Sequence, residues 1–208
     1  MKKLSIVVPA YNEAECVAKF FAAVMSVGIA AEVEVIFVDD GSSDGTIDEI
    51  KKLASADARV RYISFSRNFG KESALFAGIS RSTGDVVVTM DADLQHDPSL
   101  LPGMLAAIDA EGYDCAAVRR ISRKGEPRLR GWLARRFYSL MSRYSDVDLR
   151  EGMMDFRMMT RQVADAVLSL GESNRFSKGI YQWVGFKTKW IECENVERAA
   201  SDSKWSLW

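Results

Sequence analysis

The sequence predicts an α/β fold, a mostly parallel central sheet with helices on both faces, in a single domain with a C-terminal amphipathic extension. Three observations predict it. Short apolar runs alternate with stretches of helical periodicity, the pattern of a parallel sheet covered on both sides. A polar cluster follows each apolar run. The chain has 208 residues and is 48% hydrophobic, enough for one sizeable core.

The elements follow in order. An apolar run over 4–8, ended by Pro9, predicts the first strand, and helical spacing over 13–27 the first helix. Lys2 and Lys3 ahead of that run imitate a signal peptide, but the run is too short for a signal core. Residues 33–38 predict a second strand, followed by a polar cluster at 39–44 and a helix to about Ala54. A third strand over 60–65 precedes a helix over 71–80. A fourth, over 85–90, precedes a helix opened by Asp97 as N-cap with Pro98 at its first position. A fifth is expected over 113–118, after which the pattern changes. The clusters at 9–13, 39–44, 67–71 and 91–95 then fall at four strand ends, where parallel sheets bind ligands.

Composition excludes several classes. The net charge of −1 gives no global field for nucleic acid. No stretch approaches the roughly 18 apolar residues of a membrane helix. Cys16, Cys115 and Cys193 are widely spaced without CxxC and read as thiols of a reducing cytoplasm. The glycines near Asp39 are not followed by G-K-[ST], and G-x-G-x-x-G is missing, which disfavours phosphate-loop and classical dinucleotide-binding folds.

Asp91 and Asp93 flank one small residue directly after the fourth strand, so an extended backbone would point both carboxylates, and Gln95, to one side. Two carboxylates and an amide oxygen suit Mg²⁺ or Mn²⁺, with a diphosphate completing the shell. The rival reading is a solvated acidic loop with capping duties. Asp39 and Asp40 repel each other and need partners if buried; they suit base or ribose donors, whereas Ser42 to Thr46 are adequately explained as a turn with Asp44 as cap. Residues 119–136 carry eight basic residues against one acid, Glu126, a patch for nucleic acid, anionic lipid or a phosphorylated substrate. Trp132, Leu133, Phe137, Tyr138, Leu140 and Met141 suggest an amphipathic helix near lipid. His96, the one histidine, reads as a supporting or surface residue; Trp183, Trp190, Trp205 and Trp208 as core or as an interfacial belt.

Pro9 to Glu13, Val38 to Thr46, Arg67 to Lys71 and Met90 to Gln95 resemble, in order and spacing, the successive motifs of family 2 glycosyltransferases with the GT-A fold. The run Asp91 to Pro98 and the later Asp155-Phe156-Arg157 resemble the polyprenyl-phosphate branch, which includes dolichol-phosphate-mannose synthases and bactoprenol glucosyltransferases. The resemblance implies that Pro9, Tyr11, Glu13, Asp39 and Asp40 line a nucleoside pocket. Arg67, Lys71 and Asp91 would meet the donor, Asp91, Asp93 and Gln95 the metal, and Asp155 would be the catalytic carboxylate, with structural pairing to Arg157 as the alternative. Arg119, Arg130, Arg198 and Lys204 would hold the acceptor phosphate. Ser201 departs from the glycine usual in the branch's closing signature, at a cost to loop geometry.

The expectation is a metal-dependent, inverting hexosyltransferase, with glucose favoured. It moves sugar from a nucleoside-diphosphate donor, UDP-glucose or GDP-mannose in class, to polyprenyl phosphate. Residues 1–118 form the donor half, 119–195 the acceptor and catalytic half, and 196–208 a juxtamembrane segment. Branch members continue into membrane helices, so the protein is expected at the cytoplasmic membrane face, shortened before those helices or peripheral, without nucleic acid and with room for a homo-oligomer. The rivals are a glycosyltransferase with a different acceptor, a sugar nucleotidyltransferase, which lacks its glycine-rich N-terminal loop here, and a non-catalytic nucleotide-sugar-binding module at the membrane.

Overall fold

The computed structural model describes residues 2–120, 153–172 and 174–193. Within them the elements run β1 (Lys3–Ala10), α1 (Ala14–Ser26), β2 (Glu32–Asp39), α2 (Thr46–Ala56), β3 (Val60–Ser64), α3 (Lys71–Arg81) and β4 (Val86–Thr89). A 3-10 turn (Pro98–Leu100) then leads into α4 (Leu101–Asp109), followed by β5 (Cys115–Arg120), β6 (Met153–Thr160), α5 (Arg161–Ser169), α6 (Ser177–Trp183) and β7 (Thr188–Cys193). Seven strands form one sheet in the order β3-β2-β1-β4-β6-β5-β7. β6 alone runs antiparallel to its neighbours β4 and β5.

The inner strands β1, β2 and β4 are apolar over most of their length because both faces are covered. Leu4, Ile6 and Val8 pack with Val17, Phe20, Ile50 and Met104 from α1, α2 and α4. Val7, Val87 and Met159 face the other way, onto Ile79, Val163, Val167 and Tyr181 from α3, α5 and α6. Each such side chain contributes about 1.5–3 kcal/mol of burial.

β1 continues through Pro9 to Ala10, beyond the expected stop at Val8. The Val7 carbonyl accepts from Met90 N–H on the β4 side, and two residues on Pro9 faces the same way, just past the end of β4. The missing amide therefore costs no ladder bond. Asp97 caps the 3-10 turn as expected, its carboxylate accepting from Ser99 N–H at 2.9 Å.

Candidate active site

Three strand-end loops are tied to one another before any ligand enters. Asn12, at φ 55, donates its N–H to Ser42 Oγ and accepts from Ser43 N–H at 2.8 Å. Glu13 N–H donates to Thr46 Oγ1. Asp44 accepts from Thr46 N–H at 3.0 Å, although the cap position itself is Gly45. Gly41 has φ 68, and a Cβ there would lie 2.3 Å from the Arg67 carbonyl carbon, so only glycine lets the second loop press against the third.

The adjacent acids find separate partners. Asp40, fully buried, accepts from Phe69 N–H at 2.7 Å and Gly70 N–H at 2.9 Å, which pins the loop that leads into α3. Burial pushes its carboxyl above the usual range, against the pull of those two donors. Asp39 accepts from Ser42 N–H and from the Ser64 hydroxyl. Pro9 is buried beside them, while Tyr11 and Glu13 are half-buried at the rim.

The centre of the crevice is a lysine between two carboxylates. Lys71 opens α3, and its Nζ lies 2.7 and 2.8 Å from the two oxygens of Asp91 and 2.7 Å from Asp155 Oδ2. Lys178, from α6, approaches Asp155 at 3.7 Å. Burial pushes Asp155 up, but Lys71 and Lys178 outweigh it and hold the carboxyl well below the usual range. The same pairing raises the Lys71 ammonium against its own burial. Asp155 therefore pairs with the two lysines, and the alternative pairing with Arg157 is not what forms. Arg157, buried on the same face of β6, lies between the rings of Tyr181 (4.7 Å) and Trp190 (5.4 Å).

The acidic run departs from the expected geometry. β4 stops at Thr89, residues 92–93 form a turn, and Leu94 has φ 59, so strand alternation does not align Asp91, Asp93 and Gln95. Asp93 instead turns back to accept from Gln95 N–H at 3.1 Å. His96 is buried, not a surface residue. It stacks on Phe156 at 5.1 Å and its Nδ1 accepts from Asp91 N–H at 3.1 Å. That bond requires an unprotonated Nδ1, and burial lowers the ring's proton affinity in the same direction.

The remaining predicted residues sit further out. Arg67 is exposed, stacked on Phe69 at 4.1 Å, with a bond to the Asn68 carbonyl. Arg119 pairs with Glu192 across β5 and β7, and its buried Nε has no partner among the described residues. Arg130, Arg198 and Lys204 lie outside the described residues, as do Trp205, Trp208, Ser201 and the amphipathic stretch around 132–141. Trp183 is exposed and Trp190 covers Arg157. Lys178 went unread in the sequence, since nothing in the run from Ser177 to Trp183 marks it; only packing does, through Ser177 N–H donating to Glu72 of α3. No disulfide joins the cysteines, and Cys16 and Cys115 are buried.

A strand-end crevice of acids with one bridging lysine occurs in more than one enzyme class, and comparison with known proteins decides between them. Residues 5–168 match the model of glycosyl transferase family 2. The chain belongs to that family. It is 44% identical over 211 residues to a putative glycosyltransferase, CsbB, of Bacillus subtilis, covering 98% of this chain and 62% of that one. It is 40% identical over 211 residues to the bactoprenol glucosyl transferase of Shigella phage SfX, covering 99% and 69%. The chain thus spans about two thirds of the length of these relatives. Among solved structures, a Pyrobaculum calidifontis mannosyltransferase in complex with GDP-Man and Mn²⁺ superposes with TM-score 0.65 at 18% identity, covering 96% of this chain and 57% of that one. Glucosyl-3-phosphoglycerate synthase from Mycobacterium tuberculosis, in complex with Mn²⁺, UDP and phosphoglyceric acid, gives 0.65 at 18%, covering 97% and 72%. The fold of this glycosyltransferase is theirs, a GT-A fold with a mostly parallel sheet. Among the described residues no helix is long and apolar enough to cross a membrane.

Proposed function

We propose that this glycosyltransferase moves glucose from a nucleoside-diphosphate sugar, UDP-glucose first among candidates, to a polyprenyl phosphate at the cytoplasmic membrane face, with inversion. The observation that carries the proposal is the 40% identity, over 99% of the chain, to proteins named bactoprenol glucosyl transferase. The crevice supports it chemically.

A divalent cation, Mg²⁺ or Mn²⁺, suits the oxygen-donor chemistry of the residues present, although the turn at Leu94 keeps them out of a single strand-aligned row. Among the described residues no group of three or more His, Cys, Asp or Glu gathers as a protein-only cage. Asp91 and Asp93 with Gln95 offer a partial set of hard oxygen donors, which suits an ion shared with a diphosphate. Such an ion, when bound, neutralises charge that builds on the leaving diphosphate. Pro9, Tyr11, Glu13 and Asp39 border the nucleoside, and Asp40 sets the loop carrying Arg67 and Lys71 toward the phosphates.

Inversion is a single displacement, in which the acceptor phosphate oxygen forms the new bond to the anomeric carbon as the bond to diphosphate breaks. A phosphate is already ionised, so it needs placement more than deprotonation. Asp155, held as a carboxylate by Lys71 and Lys178, orients the acceptor and the sugar rather than acting as a base. Arg119 offers the acceptor phosphate a buried donor at the end of β5, and Arg130, Arg198 and Lys204 complete the acceptor set in this reading. Residues 1–118 then serve the donor, 119–195 the acceptor, and 196–208 approach the membrane.

The test supplies Mn²⁺, a short polyprenyl phosphate and a panel of radiolabelled sugar nucleotides, and counts label in the organic phase. UDP-glucose is expected to give lipid-linked glucose that mild acid releases. No labelled lipid from any donor, also from a chain extended to the relatives' full length, would end the proposal.

A further inference from the structure

We propose that Lys71 is the resident counter-ion of the metal site: its ammonium holds Asp91 and Asp155 together in the ligand-free protein, and a divalent cation replaces it on Asp91 when the donor binds. The inference rests on the metal assignment made above for Asp91 and Asp93.

The geometry makes the two cations rivals. Lys71 Nζ contacts both oxygens of Asp91, at 2.7 and 2.8 Å, so the face that a metal would use is already engaged. A divalent ion on the same carboxylate would stand within a few ångströms of the ammonium, where like charges repel strongly in a partly desolvated site. The two therefore compete for Asp91.

The lysine is equipped to leave. It keeps a second anchor, Asp155 at 2.7 Å, so losing Asp91 does not strand its charge. Its four-carbon stem pivots from the first residue of α3, and the Lys71 and Asp91 side chains are 22% and 28% exposed, so the exchange needs no unfolding. His96 Nδ1 holds the Asp91 backbone N–H, which leaves the carboxylate in place while its partner changes. Once displaced, the ammonium stays on Asp155 and turns toward the diphosphate, the new anion in the crevice. The donor thus gains a cation that the metal releases, and metal and donor bind cooperatively with no movement of the sheet.

A purely structural lysine and an exchanging one differ in sign. Titration of Mn²⁺, followed by the electron paramagnetic resonance of the free aquo ion, is carried out on the wild type, Lys71→Met, Lys71→Gln and Lys71→Arg, first alone and then with UDP. The neutral variants are expected to bind Mn²⁺ about tenfold more tightly without UDP, because a competitor is gone, and to bind UDP with Mn²⁺ about tenfold more weakly. Lys71→Arg should follow the wild type in the absence of UDP. Mn²⁺ affinity that is unchanged or weaker in the neutral variants overturns the inference and leaves the metal assignment standing. An absence of Mn²⁺ binding in every protein, even with UDP, overturns the metal assignment and the inference with it. A measurement on the wild type alone covers the case in which the variants misfold. The ion-paired Lys71 ammonium resonance should shift on saturation with diamagnetic Mg²⁺, and a resonance that stays put overturns the exchange.

Discussion

The two ends of the sheet each hold a carboxylate among cations, and they are built for opposite purposes. At the amino end, Glu34 is buried and accepts from the Ser5 hydroxyl, Thr83 N–H and the Thr83 hydroxyl, with Lys3 at 3.2 Å and Arg61 at 3.1 Å. Burial pushes its carboxyl up, but those bonds outweigh it and hold the group at about 2. At the carboxyl end, Asp91 and Asp155 share one ammonium and remain 28% and 20% exposed. A cleft of about 900 Å³ lies beside Glu34, at the opposite end of the sheet from the proposed active site. A saturated carboxylate is a fastening, whereas a shared one has bonds to exchange.

The sharpest way to break this contrast is Asp155→Asn. Activity should fall by about a thousandfold, within the range for loss of a positioned catalytic carboxylate, while the melting temperature moves by only a few degrees. A collapse in stability instead would put Asp155 in the same class as Glu34. The mirror experiment is Glu34→Gln, expected to cost about 2–3 kcal/mol in urea unfolding, as for a buried charge-assisted network, with kcat unchanged. The pH dependence follows from sign. Because the folded carboxyl titrates at about 2, below the unfolded value of about 4.3, its stabilisation is present above that unfolded value and is lost as pH falls toward 2. The acid limb of a Tm-against-pH curve should be shallower in the variant.

Gly41→Ala tests the bracing of the donor loops. With φ at 68 and Arg67 backbone 2.3 Å from the added carbon, it should cost about 1–2 kcal/mol and raise the KM for the sugar nucleotide more than it lowers kcat. The smallest effect is expected from His96→Phe. Losing one neutral bond to Asp91 N–H removes about 1 kcal/mol, read as a roughly fivefold drop in kcat/KM.

The first 118 residues were legible because each element there obeys its own local rule. β1, β2 and β4 each carry a run of apolar residues long enough to read as a buried strand, and Asp97-Pro98 announces its turn. The second half was not legible. β6 carries a buried arginine and an aspartate among four methionines, a pattern that becomes a strand only through pairing with β4 and β5. Lys178 reaches Asp155 from a seven-residue helix with no periodicity to read. The acidic run was found by composition and position, but its geometry was misjudged, since a left-handed Leu94 is a tertiary outcome that no propensity predicts.

The reversed direction of β6 has one more consequence. β5 leaves the sheet at Arg120 and β6 enters at Met153, side by side on the edge that holds Asp91 and Lys71. A joining stretch can change in length or chemistry without altering a single rung of the ladder, and in the proposed reading that would let acceptor choice vary apart from the half that handles the sugar nucleotide.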